Sequence, residues 1–242
     1  GNEGHGIFLD HARLAEIDSC EVSDNGGCGI RLIDPYAGFE AFPIADTTVE
    51  RNGEHGIYTI GNALLTDLRI TDCTISENAG WGVVSDGLDM QTTMVNTVVE
   101  RNLAGGINAE NPAGRGVIME ETLVLDNDGP GVSLVAFADY WSITSCTIAG
   151  NAGDGVTYGG SKSPEGPDLR SRVQFDLITH CTITGNAGLG IRVDLPWGLE
   201  PGTSRIEEND GTMNAGGGVR INSQGGDEYA DLLMESLTID RK

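Results

Sequence analysis

The chain has 242 residues, of which 38% are hydrophobic, 5% are aromatic and 36 are glycine. Acidic residues outnumber basic ones 37 to 14, giving a formal net charge of −23, and a field of that sign excludes nucleic acids and anionic membrane surfaces as expected partners. No stretch approaches the roughly 18 consecutive apolar residues of a membrane span, so we expect none.

A short frame, Asn-x-Gly-x-Gly followed by Ile or Val, recurs from "NEGHGI" at residues 2–7 to the end of the chain. We number the repeats, or coils, by their asparagines, which are Asn2, Asn25, Asn52, Asn78, Asn102, Asn127, Asn151, Asn186 and Asn214. In two frames Glu54 and Ala104 replace the first glycine. The spacing is about 25 residues, with longer intervals late in the chain. A constant period of this length is typical of a solenoid, in which each repeat stacks on the next.

A segment that alternates between polar and apolar residues precedes most frames, as in "ITDCTISEN" at residues 70–78, and it predicts a strand. Alignment on the asparagines gives one column of small residues: Cys20, Thr47, Cys73, Thr97, Thr122, Cys146, Cys181 and Ser204. Two residues later a column of Val and Ile follows, as at Val22 and Ile75. Both columns are suited to the interior of stacked sheets.

With these columns, nearly the whole chain resembles the right-handed parallel β-helix of pectate-lyase-like proteins. The resemblance implies an all-β solenoid of about nine coils, one domain over residues 1–242, and an inward ladder of the frame asparagines. Because residues 1–242 begin at a frame and end on a strand segment, we expect this β-helix to be part of a longer chain, or to make end-on contact with further coils or another chain. The same scaffold carries lyases, hydrolases, epimerases, phage tailspikes and adhesins, so the fold leaves the function open.

The cysteines divide into two groups. Four lie in the interior column, where they act as small apolar side chains, whereas Cys28 occupies the variable position before the second glycine of its frame. We therefore expect Cys73→Ser to destabilise the fold and Cys28→Ser to be nearly neutral.

The variable position of each frame is the first candidate for chemistry. Its residues, in coil order, are His5, Cys28, His55, Trp81, Gly105, Pro130, Asp154, Leu189 and Gly217. "GHGI" at residues 4–7 resembles a motif of the polygalacturonase family, whose catalytic aspartates occupy this position. Here the positions beside the histidines hold Cys28 and Trp81, and Asp154 lacks an acidic neighbour. Paired carboxylates for glycoside hydrolysis are therefore missing.

Coils 1 to 4 hold the densest group of proton-transfer side chains. Three residues beyond the variable position lie Phe8, Arg31 and Tyr58, which we expect to point outward beside the two histidines. Polysaccharide lyases and uronate epimerases need a base, an acid and a cation beside the sugar carboxylate. We assign His5 or His55 as base, Tyr58 as acid and Arg31 as cation. Phe8 and Trp81 offer surfaces for sugar stacking.

A second candidate subsite lies near the other end of the repeat. Arg192 and Arg220 occupy the same outward position as Arg31, and insertions at residues 159–168 and 194–203 carry Lys162 and Trp197. These side chains suit an anionic sugar. Acidic turns at residues 23–27 and 125–131 are suited to Ca²⁺, which is kept as a candidate cofactor, although they match no known calcium-loop pattern.

Two functions remain open from the sequence. The first is an extracellular or cell-surface protein that binds or processes a polysaccharide, with lyase or epimerase chemistry favoured over hydrolysis. The second is a non-catalytic β-helix that serves as a stalk or adhesin. An enzyme should concentrate its cationic and aromatic groups on a few adjacent coils, and the group on coils 1 to 4 favours the first function.

Overall fold

The computed structural model describes residues 1–12, 15–35, 41–61, 66–87, 90–110, 116–135, 142–159, 177–195, 204–207, 213–223 and 232–235. Its strands, numbered β1 to β25 in chain order, form three parallel sheets.

The first sheet follows each frame and contains β1 (Ile7–Asp10), β4 (Ile30–Ile33), β7 (Ile57–Gly61), β10 (Trp81–Gly87), β13 (Gly105–Glu110), β16 (Val132–Val135), β19 (Val156–Gly159), β22 (Leu189–Leu195) and β24 (Gly217–Ser223). The second sheet contains β2 (Ile17–Asp18), β5 (Phe42–Ala45), β8 (Thr66–Thr71), β11 (Met90–Val95), β14 (Gly116–Glu120), β17 (Ser142–Thr144), β20 (Leu177–Thr179), β23 (Ser204–Glu207) and β25 (Leu232–Glu235). The third sheet contains β3 (Glu21–Ser23), β6 (Thr48–Glu50), β9 (Thr74–Ser76), β12 (Val98–Glu100), β15 (Leu123–Leu125), β18 (Thr147–Ala149) and β21 (Thr182–Thr184).

Strands that neighbour each other in a sheet come from successive coils, and every pairing is parallel, as between β1 and β4. This pattern confirms the predicted β-helix. The coil number is slightly lower than predicted. The first two sheets have nine strands each, but the third has seven within the described residues, so fewer than nine coils have a strand in all three sheets. No helix in the described part of the chain is long and apolar enough to cross a membrane.

The frame asparagines form a continuous buried ladder. The side-chain amide of Asn78 donates to Asn102 Oδ1 at 3.0 Å, and its backbone N–H donates to the same oxygen at 3.1 Å. Asn102 donates in turn to Asn127 Oδ1 at 3.1 Å and to the Ile75 carbonyl at 3.2 Å. Each interior asparagine therefore bonds to a carbonyl of the preceding coil and to the asparagine of the following coil, which explains why this residue recurs in every frame.

Ser204 does not belong to the predicted small-residue column, because it lies on β23 of the second sheet, where Ile206 pairs with Ile178, three residues before Cys181. The rest of the column is buried, except at Cys20, which is half-buried. Its hydroxyls and thiols make equivalent hydrogen bonds to the carbonyl two residues earlier: Thr97 Oγ1 donates to Val95 O at 3.1 Å and Cys73 Sγ to Thr71 O at 3.2 Å. Thr and Cys are thus interchangeable here because each is small and carries a donor. A serine hydroxyl at position 73 would donate to the same carbonyl and would not be buried without a partner, so the structure removes the reason to expect Cys73→Ser to destabilise the fold.

The second glycine of the frame is required by the close approach of successive coils. A Cβ atom on Gly82 would lie 2.4 Å from Val99 Cγ1 and 2.8 Å from the Gly106 carbonyl oxygen. Only glycine leaves room for the neighbouring frame. Successive strands of the first sheet are therefore in register, and equivalent side chains of neighbouring coils lie side by side.

Candidate functional site on the first sheet

The predicted site residues of coils 1 to 4 are side by side. In the first sheet Phe8 pairs with Arg31, Arg31 with Tyr58, and Tyr58 with Val84. The variable positions directly precede these strands. Exposure along the row is uneven, since Phe8 is 52% exposed whereas Val84 is 6% exposed. The row therefore changes from an exposed position at Phe8 to a covered one at Val84 and is not a uniformly solvated sheet.

Each of the two frame histidines accepts an equivalent hydrogen bond from the backbone of the next coil. His5 Nδ1 accepts a hydrogen bond from the Cys28 backbone N–H at 2.9 Å, and His55 Nδ1 accepts one from the Trp81 backbone N–H at 3.0 Å. The glycine before each of these residues makes room for the ring, because a Cβ on Gly27 would lie 2.6 Å from His5 Nδ1. The histidines thus have a structural role, because each ring connects its own coil to the next one, whether or not it also takes part in catalysis.

These contacts determine what the imidazole rings offer to a ligand. A neutral ring whose Nδ1 accepts a hydrogen bond carries its proton on Nε2. Burial lowers the pKa of His55, partly opposed by the charge of Glu54, which favours its neutral form. In this arrangement each ring presents an N–H donor at Nε2. The Nδ1 lone pair of His55 is free to accept a proton only when the bond to the Trp81 backbone is released.

Arg31 lies at the centre of the site with incomplete hydrogen bonding. Its Cζ is 5.3 Å from the centroid of the Tyr58 ring, a cation–π contact. Its Nη1 is 3.2 Å from His5 Nε2, so two nitrogens that both carry protons face each other when the ring is neutral. Its Nε is buried and has no hydrogen-bond partner. Arg31 as a whole is half-buried, so its guanidinium combines one buried donor that lacks an acceptor with nitrogens that are not fully enclosed.

Cys28 differs from its predicted environment. We expected the variable position to be free of packing, but Cys28 is only 2% exposed. Its Sγ donates to Glu54 Oε2 at 3.2 Å. Burial, and then the hydrogen bond to Glu54, raise the pKa of the thiol to about 11. Because the side chain packs against Glu54 of the next coil, replacement of Cys28 is not expected to be neutral.

Tyr58 connects the site to acidic residues that the sequence analysis missed. Its ring stacks on His55 with a centroid separation of 5.7 Å, and its hydroxyl lies close enough to the Asp86 carboxylate for each group to affect the pKa of the other. Burial and the charge of Glu110 raise the pKa of Asp86, while burial and the charge of Asp86 raise that of Tyr58. Asp86 lies two residues beyond Val84 and therefore points outward like it. The sequence alignment would have identified Asp86 if the outward positions had been followed two residues further along each strand.

The aromatic side chains differ in accessibility. The Phe8 ring is exposed and lies 5.9 Å from the His5 ring, tilted by 34°. Trp81 is half-buried, and its ring lies against Gly105, where a Cβ atom would be 2.3 Å from Trp81 Cζ3. Phe8 is thus the more accessible surface for sugar stacking.

In the second candidate subsite the charge of Arg192 is compensated within the fold. Arg192 and Arg220 are paired in register on β22 and β24, and both are exposed. Arg192 Nε donates to Asp194 Oδ2 at 2.7 Å, and its Nη1 lies 3.8 Å from Asp154 Oδ2. Lys162 and Trp197 of the insertions lie outside the described residues. Arg192 is therefore less available to an anion than Arg31.

The acidic turns proposed for Ca²⁺ use several of their oxygens within the fold. Asn25 and Asn127 belong to the asparagine ladder, and Asp24 is paired with Arg51 at 3.0 Å. Calcium binding there stays a prediction. Among the described residues, a group of His, Cys, Asp or Glu side chains close enough to share a metal ion is formed by His5, Cys28 and Glu54, whose ligand atoms lie within 4.8 Å of one another.

Known proteins resemble this chain mainly in its repeat. The family model described as the right-handed beta helix region matches residues 5–193. No curated protein matches the chain. A solved structure of a double mutant of the periplasmic alginate epimerase AlgG is similar over 97% of this chain, with 15% sequence identity and a TM-score of 0.58. The similar region covers 48% of that epimerase chain, and at this identity the likeness concerns the fold alone. Because the family model covers more than half of the chain, the protein belongs to the right-handed β-helix family.

Proposed function

We propose that the protein binds an acidic polysaccharide of the uronic-acid class across coils 1 to 4 of the first sheet, and that it acts on this polymer as a lyase or epimerase. The observation that carries the proposal is the state of Arg31, whose buried Nε has no partner and whose Nη1 faces a ring nitrogen of His5 at 3.2 Å. A carboxylate oxygen would accept hydrogen bonds from Arg31 Nη1 and from the Nε2–H of His5. Uronic acids supply one carboxylate on each sugar ring.

The same contact suits the chemistry of lyases and epimerases. Both reactions remove the proton beside the carboxylate, and negative charge then develops on the carboxylate oxygens. Arg31 and the Nε2–H of His5 would stabilise that charge. Arg31 is held in place by the Tyr58 ring beneath its guanidinium, which reduces the reorganisation needed in the transition state.

The proximity of the Tyr58 hydroxyl to the Asp86 carboxylate favours this pair for proton transfer. The Tyr58 oxygen would take the sugar proton while its own proton passes to the Asp86 carboxylate, so that no free tyrosinate is required. The raised pKa of Asp86 makes its carboxylate a stronger base than an ordinary aspartate. His55 would hold the sugar through its Nε2–H and becomes an alternative base when Nδ1 is released from Trp81.

The non-catalytic function is retained as the second candidate, because the frame histidines also connect neighbouring coils through their Nδ1 atoms. A stalk or adhesin would keep these bonds and could bind the polymer without turning it over. An extracellular or periplasmic location follows from a polysaccharide ligand, and the periplasmic location of the similar epimerase supports it.

A screen of polyuronates and neutral glucans tests the proposal. Ultraviolet absorbance detects the unsaturated lyase product, deuterium exchange at the carbon beside the carboxylate detects epimerisation, and reducing ends without unsaturation detect hydrolysis. We expect activity on a polyuronate that Tyr58→Phe and Asp86→Asn each lower by at least about 100-fold. Binding without turnover would support the non-catalytic function, and preference for neutral glucans would contradict the proposal.

A further inference from the structure

Three side chains that can ligate a metal, one from each of coils 1 to 3, lie close together. His5 and Cys28 occupy the variable positions of coils 1 and 2, and Glu54 replaces the first glycine of the frame in coil 3. Their candidate ligand atoms lie within 4.8 Å of one another, and Cys28 Sγ is already 3.2 Å from Glu54 Oε2. In a tetrahedral zinc site, bond lengths of about 2.0–2.3 Å place ligand atoms roughly 3.3–3.7 Å apart. Modest side-chain movement would close the site.

We propose that His5, Cys28 and Glu54 bind a Zn²⁺ ion, or a cation of similar preference, with a fourth position open to an exogenous ligand. Imidazole, thiolate and carboxylate are the three ligand types that zinc takes in proteins, and three protein ligands leave one coordination position free. Calcium does not fit this set, because it requires six to eight oxygen ligands.

His5 would ligate through Nδ1, the nitrogen that carries the lone pair in this arrangement. That lone pair now accepts from the Cys28 backbone N–H at 2.9 Å, and rotation of the ring would redirect it to the metal. Nε2–H then remains available beside Arg31 to hold an acceptor, as the second nitrogen of a ligating histidine commonly does.

Charge indicates the class of the fourth ligand. A divalent cation with one thiolate and one carboxylate is neutral, and Arg31 lies 3.2 Å from the ligating ring. The remaining local charge is positive, so an anion is favoured at the open position. This assignment of the fourth ligand rests on the proposed function, in which the anion is a sugar carboxylate. Binding of the metal by the protein alone does not depend on it.

Coil 3 provides an internal comparison. His55 occupies the same frame position as His5 and makes the same backbone bond, but Trp81 stands in place of Cys28, and Ala104 in place of Glu54. The backbone arrangement is therefore repeated without the other two ligands. Metal binding should therefore depend on His5, Cys28 and Glu54 and be unaffected by replacement of His55.

Titration of the whole chain with Co²⁺ in the absence of glycan tests the proposal, because Co²⁺ replaces zinc and gives a thiolate charge-transfer band. We expect saturable binding with this band, and competition by Zn²⁺. Cys28→Ser should abolish the band. Glu54→Gln, at an exposed side chain, should weaken binding by about tenfold or more. Cys73→Ser and His55→Gln are the matched controls and should bind as the wild type does.

Circular dichroism verifies that each variant is folded. Absence of saturable Co²⁺ binding to the wild type, or a band that persists in Cys28→Ser, would overturn the proposal, as would unchanged affinity in folded Glu54→Gln. Glycan binding is measured separately with EDTA and with added Zn²⁺. Polyuronate binding in EDTA combined with absent Co²⁺ binding would reject the metal site and leave the proposed function standing.

Discussion

The interior of the coils is built from repeated residue types, whereas the outer face of the same coils carries residues that differ from coil to coil. Inside, each column repeats one kind of residue, and its polar atoms bond to the next coil, as Asn78 does to Asn102. On the outer face of coils 1 to 4 almost every position differs from its neighbours, and the buried Nε of Arg31 has no partner. The repetition stabilises the solenoid, whereas the exceptions to it bring together the groups able to bind a ligand.

A similar contrast separates two arginines of the outer face. Arg31 and Arg192 occupy the same row of the first sheet. Arg192 has two aspartates within 3.8 Å, while Arg31 contacts the Tyr58 ring and His5. The surroundings of an arginine, more than its place in the repeat, therefore decide whether it is available to an anion.

The largest expected effect comes from breaking the ladder inside the fold. Asn102→Ala removes the acceptor of both Asn78 donors and leaves the Asn127 oxygen with fewer donors. With about 1–3 kcal/mol for each buried group left without a partner, we expect a loss of roughly 3–6 kcal/mol. Asn2→Ala is the control, because Asn2 is exposed at the edge and should cost less than about 1.5 kcal/mol. Urea denaturation measures both, and equal losses would contradict the ladder's role.

A smaller effect tests the exchange of threonine for cysteine in the interior. Thr97→Cys keeps a side-chain donor toward the Val95 carbonyl, whereas Thr97→Val removes it together with the acceptor of the Cys73 backbone N–H. We expect Thr97→Val to cost about 1–2 kcal/mol and Thr97→Cys less than about 1 kcal/mol. If thermal denaturation ranks them in the opposite order, apolar packing and not hydrogen bonding governs this column.

The smallest expected change in stability concerns Asp86 on the outer face. Because the pKa of Asp86 is raised by burial and by Glu110, its ionised form costs stability. The cost is absent below the unfolded value of about 3.9 and appears as the pH rises through the folded value. Asp86→Asn should therefore raise the melting temperature slightly at pH 7, and this gain should disappear on acidification.

Asp194→Asn is the matched control for this effect. Asp194 lies two residues beyond Arg192 and is bonded to it at 2.7 Å, so its neutralisation should lower the melting temperature at pH 7 slightly or leave it unchanged. A stabilising effect of the same size in both variants would indicate general relief of the net negative charge and not a local cost at Asp86.

The sequence was sufficient for the fold because one asparagine, one glycine and one small residue recur at fixed distances. It also placed His5, Arg31, His55 and Tyr58 on adjacent coils. Burial of Cys28 and the approach of Glu54 were not predictable in this way, because they depend on how side chains bend over the next coil. Frame alignment put Glu54 in a different column from His5, although the structure brings their side chains together.

Polyuronate affinity of two charge-matched variants distinguishes a binding site on coils 1 to 4 from a general electrostatic effect. Arg31→Gln and Arg192→Gln remove the same charge from the same row of the first sheet, so a general electrostatic effect would be equal in both. Loss of a charge-assisted hydrogen bond of about 1.5–3 kcal/mol corresponds to roughly 10- to 100-fold in Kd. Titration calorimetry should show this weakening for Arg31→Gln and a change of less than about twofold for Arg192→Gln. Equal weakening in both variants, or unchanged affinity in Arg31→Gln, would contradict the assignment of the binding site to coils 1 to 4.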